Sequence, residues 1–378
     1  MYDFSNINTP AYVLDEAALL ANLAKVDCIR KQAGVTILLA SKAFSMFQAF
    51  PLMRDYLDGT TASGYYEARL GHEEFGKQVH VYSPAFEDKE IDSIVEIADH
   101  IYFNSPSQLE RFYDRVKSRN ISLGLRVNPQ FSLTHTDIYN PCAKYSRMGT
   151  LKEHITSEVL AKIDGLHFHI LCENTAQDST ALIEFVAKNY GDMLKNLKWV
   201  NFGGGHFINH PSYDIDKLIA TLQKFKADFP NLEVILEPGG GIVYDTGYLV
   251  ASVLDIIENE KQIACLDTSA TTHMPDVLEM PYRPMLHNSG LEGEKAYSYI
   301  LAGKTCLTGD VIGEYSFDKP LNIGDKLIFT EMMQYTMVKN TTFNGTPLPD
   351  IAILHTNGEY EVLKSFAYED FKGRLGKI

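Results

Sequence analysis

The sequence lacks the features typical of nucleic-acid-binding, secreted and membrane proteins. Its 34 lysines and arginines stand against 49 acidic residues and form no basic cluster, which argues against a nucleic-acid partner. The five cysteines form no CxxC pair, so we expect reduced thiols rather than a disulfide framework. MYDFSNINTP does not resemble a signal peptide, and no apolar run approaches 18 residues. These absences predict a cytoplasmic protein without membrane association.

Short apolar runs alternate with amphipathic helical stretches along the first two thirds of the chain. With 378 residues, 45% of them hydrophobic, the chain is long enough for two domains. An open doubly wound sheet would also alternate in this way, but eight strands with helical partners favour a (β/α)8 barrel. The eight candidate strands are Val35–Ala40, Gly59–Ala62, Val79–Tyr82, His100–Phe103, Ser122–Val127, Gly165–Ile170, Trp199–Phe202 and Val234–Glu237.

The remainder of the chain has the pattern of a β domain. Turn signals such as Asn344-Gly345 separate its candidate strands. Ala11–Leu14 precedes the first barrel helix, and we expect it to join this domain. The sequence therefore predicts a barrel over residues 15–245 and a β-sandwich or β-barrel domain over residues 1–14 and 246–378. The candidate strands there are Tyr248–Glu258, Gln262–Thr268, Lys295–Gly303, Lys326–Phe329 and Ile351–Thr356.

Two basic residues lie at predicted strand ends, which is where (β/α)8 barrels place their catalytic groups. Lys42 directly follows an apolar strand in ILLASKAFSM. It is either a lysine whose stem snorkels at the rim or a Schiff-base lysine with a lowered pKa. Arg126, late in the fifth strand, would face the barrel mouth unless it forms a structural ion pair.

The sixth strand carries two histidines, His167 and His169. Strand alternation points both to the same face. A metal pair is conceivable, but no third ligand lies at a suitable spacing, so we predict no metal. A histidine also offers a flat surface on which an aromatic cofactor can stack.

Glycines follow the last two strands, where barrels commonly bind phosphate. Glycine lets backbone N–H groups approach an anion closely. Glu237, at the end of the eighth strand, could pair with a protonated pyridine nitrogen or form a rim salt bridge. A lysine, a stacking histidine, two phosphate loops and an acid are together what pyridoxal 5′-phosphate requires. The two triplets are Gly203, Gly204 and Gly205, and Gly239, Gly240 and Gly241.

In these motifs the chain resembles the fold III, alanine-racemase-like pyridoxal-phosphate decarboxylases, which include ornithine and diaminopimelate decarboxylases. ASKAF is similar to the cofactor-lysine motif, FHI to the stacking histidine, and FGGGH and EPGGG to the phosphate loops. The resemblance implies that Lys42 carries the cofactor, His169 stacks on its ring and Glu237 meets the pyridine nitrogen. Arg126, late in the fifth strand, is a further candidate cofactor contact.

The resemblance extends into the β domain. GKTCLTGD is similar to the motif that supplies a cysteine and an aspartate across a homodimer interface. It implies shared active sites, with Cys306 as proton donor and Asp310 beside it. QYTMVKNTTFNG resembles the late tyrosine segment and implies Tyr335 near the phosphate.

Within the family, HILCEN and DTSATTHMPDVLEMPYRPM look most similar to the carboxynorspermidine (carboxyspermidine) decarboxylase branch. Leu307 replaces the aspartate of ornithine decarboxylases, which argues against ornithine. Cys172 replaces a frequent serine, and Gly240 replaces the usual arginine. The implied reaction is decarboxylation of a polyamine amino acid to norspermidine or spermidine and CO2.

Such a substrate brings two cationic amines, which carboxylates bind by charge-assisted hydrogen bonds. Asp276 and Asp310 are the candidate carboxylates, with His273 nearby and Glu237 as a further substrate contact. Arg283 keeps diaminopimelate as an alternative substrate, because a similar arginine in those enzymes can meet a carboxylate. It could instead bind the cofactor phosphate or pair with an acid.

Two other kinds of protein remain as alternatives. A racemase of the same fold would need a second base opposite the lysine, and the motif at Cys306 favours decarboxylation. A non-catalytic, decarboxylase-like regulatory protein could lose the lysine or the cysteine, whereas this chain keeps both Lys42 and Cys306.

Overall fold

The computed structural model describes residues 2–134 and 136–377. The chain divides into two compact units, Leu20–Tyr244 and a unit made of Met1–Leu19 with Asp245–Ile378. In the described ranges, no helix is both long enough and apolar enough to cross a lipid bilayer.

The strands are numbered in chain order. They are β1 (Ala11–Asp15), β2 (Thr36–Ala40), β3 (Gly59–Ala62), β4 (Gln78–Tyr82), β5 (His100–Phe103), β6 (Ser122–Asn128), β7 (Thr150–Leu151), β8 (Gly165–His167), β9 (Trp199–Asn201), β10 (Glu233–Leu236), β11 (Gly247–Asn259), β12 (Lys261–Leu266), β13 (Tyr297–Ala302), β14 (Val311–Phe317), β15 (Lys326–Thr330), β16 (Asp350–Leu354) and β17 (Tyr360–Lys364).

The α-helices are numbered in the same way. They are α1 (Glu16–Ala33), α2 (Phe50–Met53), α3 (Tyr65–Leu70), α4 (Asp88–Ile94), α5 (Pro106–Lys117), α6 (Ser157–Leu160), α7 (Ala176–Leu194), α8 (Ile215–Asp228), α9 (Ala270–His273), α10 (Asp276–Glu279) and α11 (Tyr368–Gly373). A π-helical turn, Gly71–Phe75, continues α3. Short 3-10 helices cover Phe47–Ala49, Asp137–Tyr139, Lys152–His154, Met337–Lys339 and Phe343–Gly345.

Eight strands of the first unit close into a parallel barrel. Their order is β5, β4, β3, β2, β10, β9, β8 and β6, and the pairing of β5 with β6 completes the circle. The two-residue β7 adds to β6 outside the circle. A helix lies between each pair of successive barrel strands, and α1 precedes β2. The predicted (β/α)8 barrel is therefore confirmed, and the open doubly wound sheet is excluded.

Large side chains fill the barrel interior. Leu38, Tyr82, Tyr102, Trp199 and Ile235 form one buried cluster. Two glycines on neighbouring strands make room for the indole, because an added Cβ would lie 2.3 Å from Trp199 at residue 124 and 2.1 Å from it at residue 165. The interior is thus a packed core rather than a pore, so a ligand site can form only at its ends.

The sixth barrel strand is shorter than predicted, ending at His167 rather than at Ile170. The next helix starts at Ala176, because Thr175 and Asp178 form a capping box. His169 therefore lies in the connection after the strand. The two histidine side chains nevertheless lie side by side, as expected: the rings of His167 and His169 are 6.1 Å apart and nearly parallel, at 26°.

The second unit is a sheet of eight strands built around the long β11. The N-terminal β1 pairs antiparallel with β11 and parallel with β16, which confirms that this strand joins the β domain. β11 also pairs with β15 along its first half and with β12 along its second half. β14 and β17 were not predicted, because Gly313 interrupts the first and the second is short, with no buried residue. Pairing with β13 and β16 makes them strands.

Candidate active site

Lys42 follows β2 at the barrel mouth. Water reaches its side chain, yet protein atoms surround it on several sides. Loss of hydration lowers the pKa of Lys42, and the positive charge of Arg126 lowers it further, against the attraction of Glu237. The lysine amine is therefore biased toward its neutral, nucleophilic form.

The hydrogen bonds of His169 also favour an uncharged Lys42 amine. The Gly204 N–H donates to His169 Nδ1 at 2.8 Å, so a neutral imidazole carries its proton on Nε2. Burial and the nearby Lys42 hold the pKa of His169 well below its usual value. Lys42 Nζ lies 3.3 Å from Nε2, and this contact is a hydrogen bond when Lys42 accepts as an uncharged amine.

Glu237 follows β10 and is 5% exposed. Asn201 Nδ2 donates to its Oε1 at 2.7 Å, and His167 Nε2 lies 3.2 Å from its Oε2. Burial favours the neutral acid, but His167 and the hydrogen bonds from Asn201 and Thr61 lower the pKa of Glu237 overall. The barrel thus holds an ionised carboxylate in a buried position, ready to meet a cationic ring nitrogen.

Arg126 is a buried cation without a carboxylate partner in the described part of the chain. It is 2% exposed, its Nη2 donates to the His169 carbonyl at 3.0 Å, and its guanidinium lies 4.6 Å from the Tyr82 ring centre. The structural ion pair that the sequence left open does not occur among the described salt bridges. A buried charge of this kind is costly unless an anion compensates it, so the mouth suits an anionic ligand.

The glycine loops supply backbone donors. The N–H groups of Gly203 and Gly204 are used inside the protein, donating to Asn201 Oδ1 and His169 Nδ1. For the N–H groups of Gly205 and Gly240, the hydrogen bonds of the described chain include no protein acceptor. A Cβ at residue 205 would lie 2.1 Å from the Leu171 carbonyl oxygen, and the φ of +85° also requires glycine. These two donors fit a phosphate.

Sequence reasoning missed Glu67 as a neighbour of Lys42. Burial raises the pKa of Glu67. A hydrogen bond from the Ser63 N–H, at 2.7 Å, and the charge of Lys42 lower it, but by less. Its position in the first turn after β3, at the same end of the barrel as Lys42, was the available signal. Cys172 belongs to the same surroundings, where burial raises the pKa of its thiol to about 11 and keeps it protonated at neutral pH.

In the second unit, Asp310 organises the loop that carries Cys306. It is 3% exposed and accepts hydrogen bonds from Ser269 Oγ, Thr305 Oγ1 and the Thr305 N–H at 2.8, 2.6 and 3.2 Å. Cys306 itself is exposed, and its N–H donates to Asn344 Oδ1 at 2.7 Å. The Asp310 carboxylate thus stabilises the turn on which Cys306 is exposed.

The other candidate substrate residues of this unit differ in their contacts. Asp276 pairs with Lys339, which also contacts Glu279. The Arg283 guanidinium lies 4.5 Å from the ring centre of Tyr315. Tyr335 adopts a positive φ of 61°, which is unusual for a residue other than glycine and indicates a tightly specified turn.

His273 is fully buried, and both of its ring nitrogens are engaged. Nδ1 lies 3.0 Å from Thr268 Oγ1 and Nε2 lies 3.0 Å from the Pro347 carbonyl. Because a carbonyl only accepts, Nε2 carries the proton and Nδ1 accepts from the threonine. Burial lowers the pKa of His273 to about 4.

This pKa predicts a pH-dependent stability. Below pH 6.5 the unfolded state protonates His273 while the folded state does not, so stability falls as the pH drops toward 4. At pH 5 protonation of this residue in the unfolded state should lower the free energy of unfolding by roughly 1–2 kcal/mol. We expect His273→Gln to reduce the difference in chemical denaturation midpoint between pH 7 and pH 5. An unchanged difference would contradict the assignment.

A lysine amine with a lowered pKa, a guanidinium without a carboxylate partner in the described chain and a buried carboxylate at one barrel mouth match the needs of pyridoxal phosphate. The fold and this mouth thus define the class of barrel enzymes that use pyridoxal 5′-phosphate. Over residues 11–333 the chain matches the family described as "Pyridoxal-dependent decarboxylase, C-terminal sheet domain". It belongs to the pyridoxal-phosphate-dependent decarboxylases, which are carboxy-lyases.

Two relatives and one solved structure are similar over nearly the whole chain. The carboxynorspermidine/carboxyspermidine decarboxylase of Campylobacter jejuni is 44% identical, covering 98% of this chain and 99% of its own. The carboxyaminopropylagmatine decarboxylase of Synechocystis is 42% identical, covering 98% and 96%. A crystal structure of Campylobacter jejuni carboxynorspermidine decarboxylase complexed with norspermidine superposes with a TM-score of 0.91 at 42% identity, covering 97% of this chain and 100% of that one.

Proposed function

We propose that this protein decarboxylates carboxynorspermidine, carboxyspermidine or both, releasing norspermidine or spermidine and CO2. The observation that carries the proposal is the 44% identity, over almost the full length of both chains, to a relative named for these two substrates. The sequence stretches HILCEN and DTSATTHMPDVLEMPYRPM resemble the same branch.

Lys42, His169, Glu237 and Arg126 would hold the cofactor, with the N–H groups of the glycine loops on its phosphate. Bound pyridoxal phosphate supplies an electron sink for the electron pair left on the substrate's α-carbon when CO2 departs. Glu237 would keep a negative charge at the ring nitrogen, and Lys42, whose lowered pKa favours the nucleophilic amine, would be the residue that holds the cofactor covalently. Arg126 offsets the negative charge that the ligand brings into the mouth.

We further propose a homodimer in which Cys306 of one subunit protonates the α-carbon in the site of the other. Tyr335 would lie near the phosphate. Asp276 and Arg283 are the proposed contacts for the remote end of the substrate. Asp310 would contribute through the Cys306 loop that it braces. His273, whose ring nitrogens are engaged by Thr268 and Pro347, would contribute by holding those segments in place.

Cys306→Ala should lower the rate of product formation or yield misprotonated products. Loss of a positioned proton donor typically costs about 10²–10⁴-fold in rate. Steady-state kinetics and mass spectrometry of products formed in deuterated water would measure both effects. Leu307→Ala, at the neighbouring exposed residue, is the matched control. Wild-type kinetics in Cys306→Ala would contradict the assignment.

A mixing experiment tests whether sites are shared. Lys42→Ala and Cys306→Ala chains, each strongly impaired alone, should regain part of the activity after subunit exchange, because one site of a mixed dimer has both residues. Labelled chains would verify the exchange. No recovery despite exchange would exclude shared sites.

A second candidate substrate is carboxyaminopropylagmatine, since a relative named for it is 42% identical to this chain. That substrate ends in a guanidinium group rather than an amine, and the two cations differ in shape and hydrogen bonding. Diaminopimelate and ornithine are the remaining alternatives.

A substrate panel with kcat/KM for each compound tests the proposal. We expect the highest value for carboxynorspermidine or carboxyspermidine. These differ by one methylene, so the ratio between them should stay within about 10- to 200-fold. Turnover confined to diaminopimelate, ornithine or the agmatine derivative would overturn the assignment.

A further inference from the structure

A series of hydrogen bonds connects Glu237 with the opposite end of the barrel interior. Asn201 Nδ2 contacts Glu237 Oε1 at 2.7 Å and the Tyr102 hydroxyl at 3.1 Å. The Tyr102 hydroxyl contacts His80 Nδ1, and His80 Nε2 lies 3.0 Å from Oε1 of Gln78. Asn201, Tyr102 and His80 are each 0% exposed, whereas Gln78 is exposed at the start of β4.

The direction of each hydrogen bond follows from the donors available. The Gly203 N–H donates to Asn201 Oδ1 at 2.7 Å, so the amide nitrogen must face Glu237 and Tyr102. Because the Tyr102 hydroxyl accepts from Asn201, its own proton is available for His80 Nδ1. His80 then carries its proton on Nε2 and donates it to Gln78.

This directionality excludes a proton wire from Glu237 to His80. Asn201 donates toward Glu237 and also toward Tyr102, and an amide N–H does not pass protons between such partners. The hydrogen bonds instead orient the side chains that take part in them. Each buried polar atom along it has a partner, and such fully satisfied networks hold their members in one arrangement.

We propose that Tyr102 and His80 are positioning residues for Glu237. They hold the Asn201 amide so that it donates to the carboxylate, and the carboxylate in turn keeps its charge and direction toward the cofactor ring. His167, on the other side of Glu237, completes its surroundings. The inference rests on the role proposed above for Glu237.

The test is a double-mutant cycle on cofactor binding by the full-length protein. The variants are Tyr102→Phe, Glu237→Gln and the combination. Tyr102→Phe should raise the dissociation constant of pyridoxal 5′-phosphate by about two- to tenfold, as expected for one hydrogen bond. It should also shift the pH at which the visible absorbance of the bound cofactor changes. In the Glu237→Gln background, Tyr102→Phe should add no further change.

A second pair of variants separates hydrogen bonding from packing. His80→Gln keeps an acceptor for the Tyr102 hydroxyl and should bind cofactor nearly as the wild type does. His80→Leu removes the acceptor and should match Tyr102→Phe. Tyr299→Phe is the control, because that buried hydroxyl accepts the Leu321 N–H at 3.1 Å in the sheet unit. It should leave cofactor affinity and absorbance unchanged.

The outcomes distinguish this inference from the role of Glu237 itself. If Glu237→Gln leaves cofactor affinity and absorbance unchanged, the role of Glu237 fails. If Glu237→Gln changes them but Tyr102→Phe and His80→Leu do not, only the positioning role fails. Equal effects of Tyr102→Phe in both backgrounds would likewise overturn it, because the effect would not pass through the carboxylate.

Discussion

Lys42→Ala is expected to abolish turnover, with a loss of about a thousandfold or more. The lowered pKa of Lys42 and its 3.3 Å contact with His169 Nε2 favour the neutral amine, which is the form that can attack a carbonyl carbon. Alanine provides no nucleophile at this place. CO2 release and the visible absorbance of the protein after addition of pyridoxal 5′-phosphate would both be measured.

Lys42→Arg separates charge from nucleophilicity. It keeps a cation at the mouth but cannot lose its proton near neutral pH, so we expect the same loss as with alanine. Lys89→Ala is the control, since this lysine is on the surface with 79% of its side chain exposed. Near-normal turnover in Lys42→Arg would show that only a positive charge is needed and would contradict the proposed role.

Glu237→Gln is expected to lower kcat by about 10²–10³-fold, as when one preorganised electrostatic contact to developing charge is removed. Glutamine keeps the size of the side chain but loses the charge that stabilises a protonated ring nitrogen. The KM for the substrate should change less than kcat, because the main proposed role of the carboxylate is toward the cofactor ring. Steady-state kinetics with saturating cofactor would resolve the two parameters.

Glu233→Gln is the matched control for this substitution. Glu233 lies on the same strand, β10, but is exposed at the strand's other end, where it accepts a hydrogen bond from Thr36 Oγ1. We expect kinetics close to wild type. If Glu237→Gln and Glu233→Gln had equally small effects, the carboxylate at the mouth would not act on the cofactor.

The strand ends of the barrel were predictable because local sequence patterns mark them. Each parallel strand buried on both faces is a short apolar run, and the residue after it must lie at the mouth. Lys42 after ILLA and Glu237 after EVIL could therefore be placed at the mouth before any coordinates. The glycine triplets could be located in the same way, and the φ of +71° at Gly203 and +85° at Gly205 is a conformation that favours glycine.

The hydrogen bonds among these residues could not be predicted from the same patterns. Asn201 looks like an ordinary polar residue at the end of β9, and its role depends on partners 36 and 99 residues away in the chain. The charge of Lys42 affects the pKa of Glu67 only because β2 and β3 are neighbours in the closed barrel. Strands β14 and β17 likewise exist through pairing with β13 and β16.

By itself, the sequence determined the barrel, the place of the mouth and the chemical groups that stand there, because apolar periodicity, turn residues and motif spacing are local properties. The tertiary structure alone decided the charge state of those groups. Whether Lys42 is neutral and Glu237 ionised depends on burial and on the donors and charges that barrel closure brings within a few ångströms. Sequence spacing does not contain those distances.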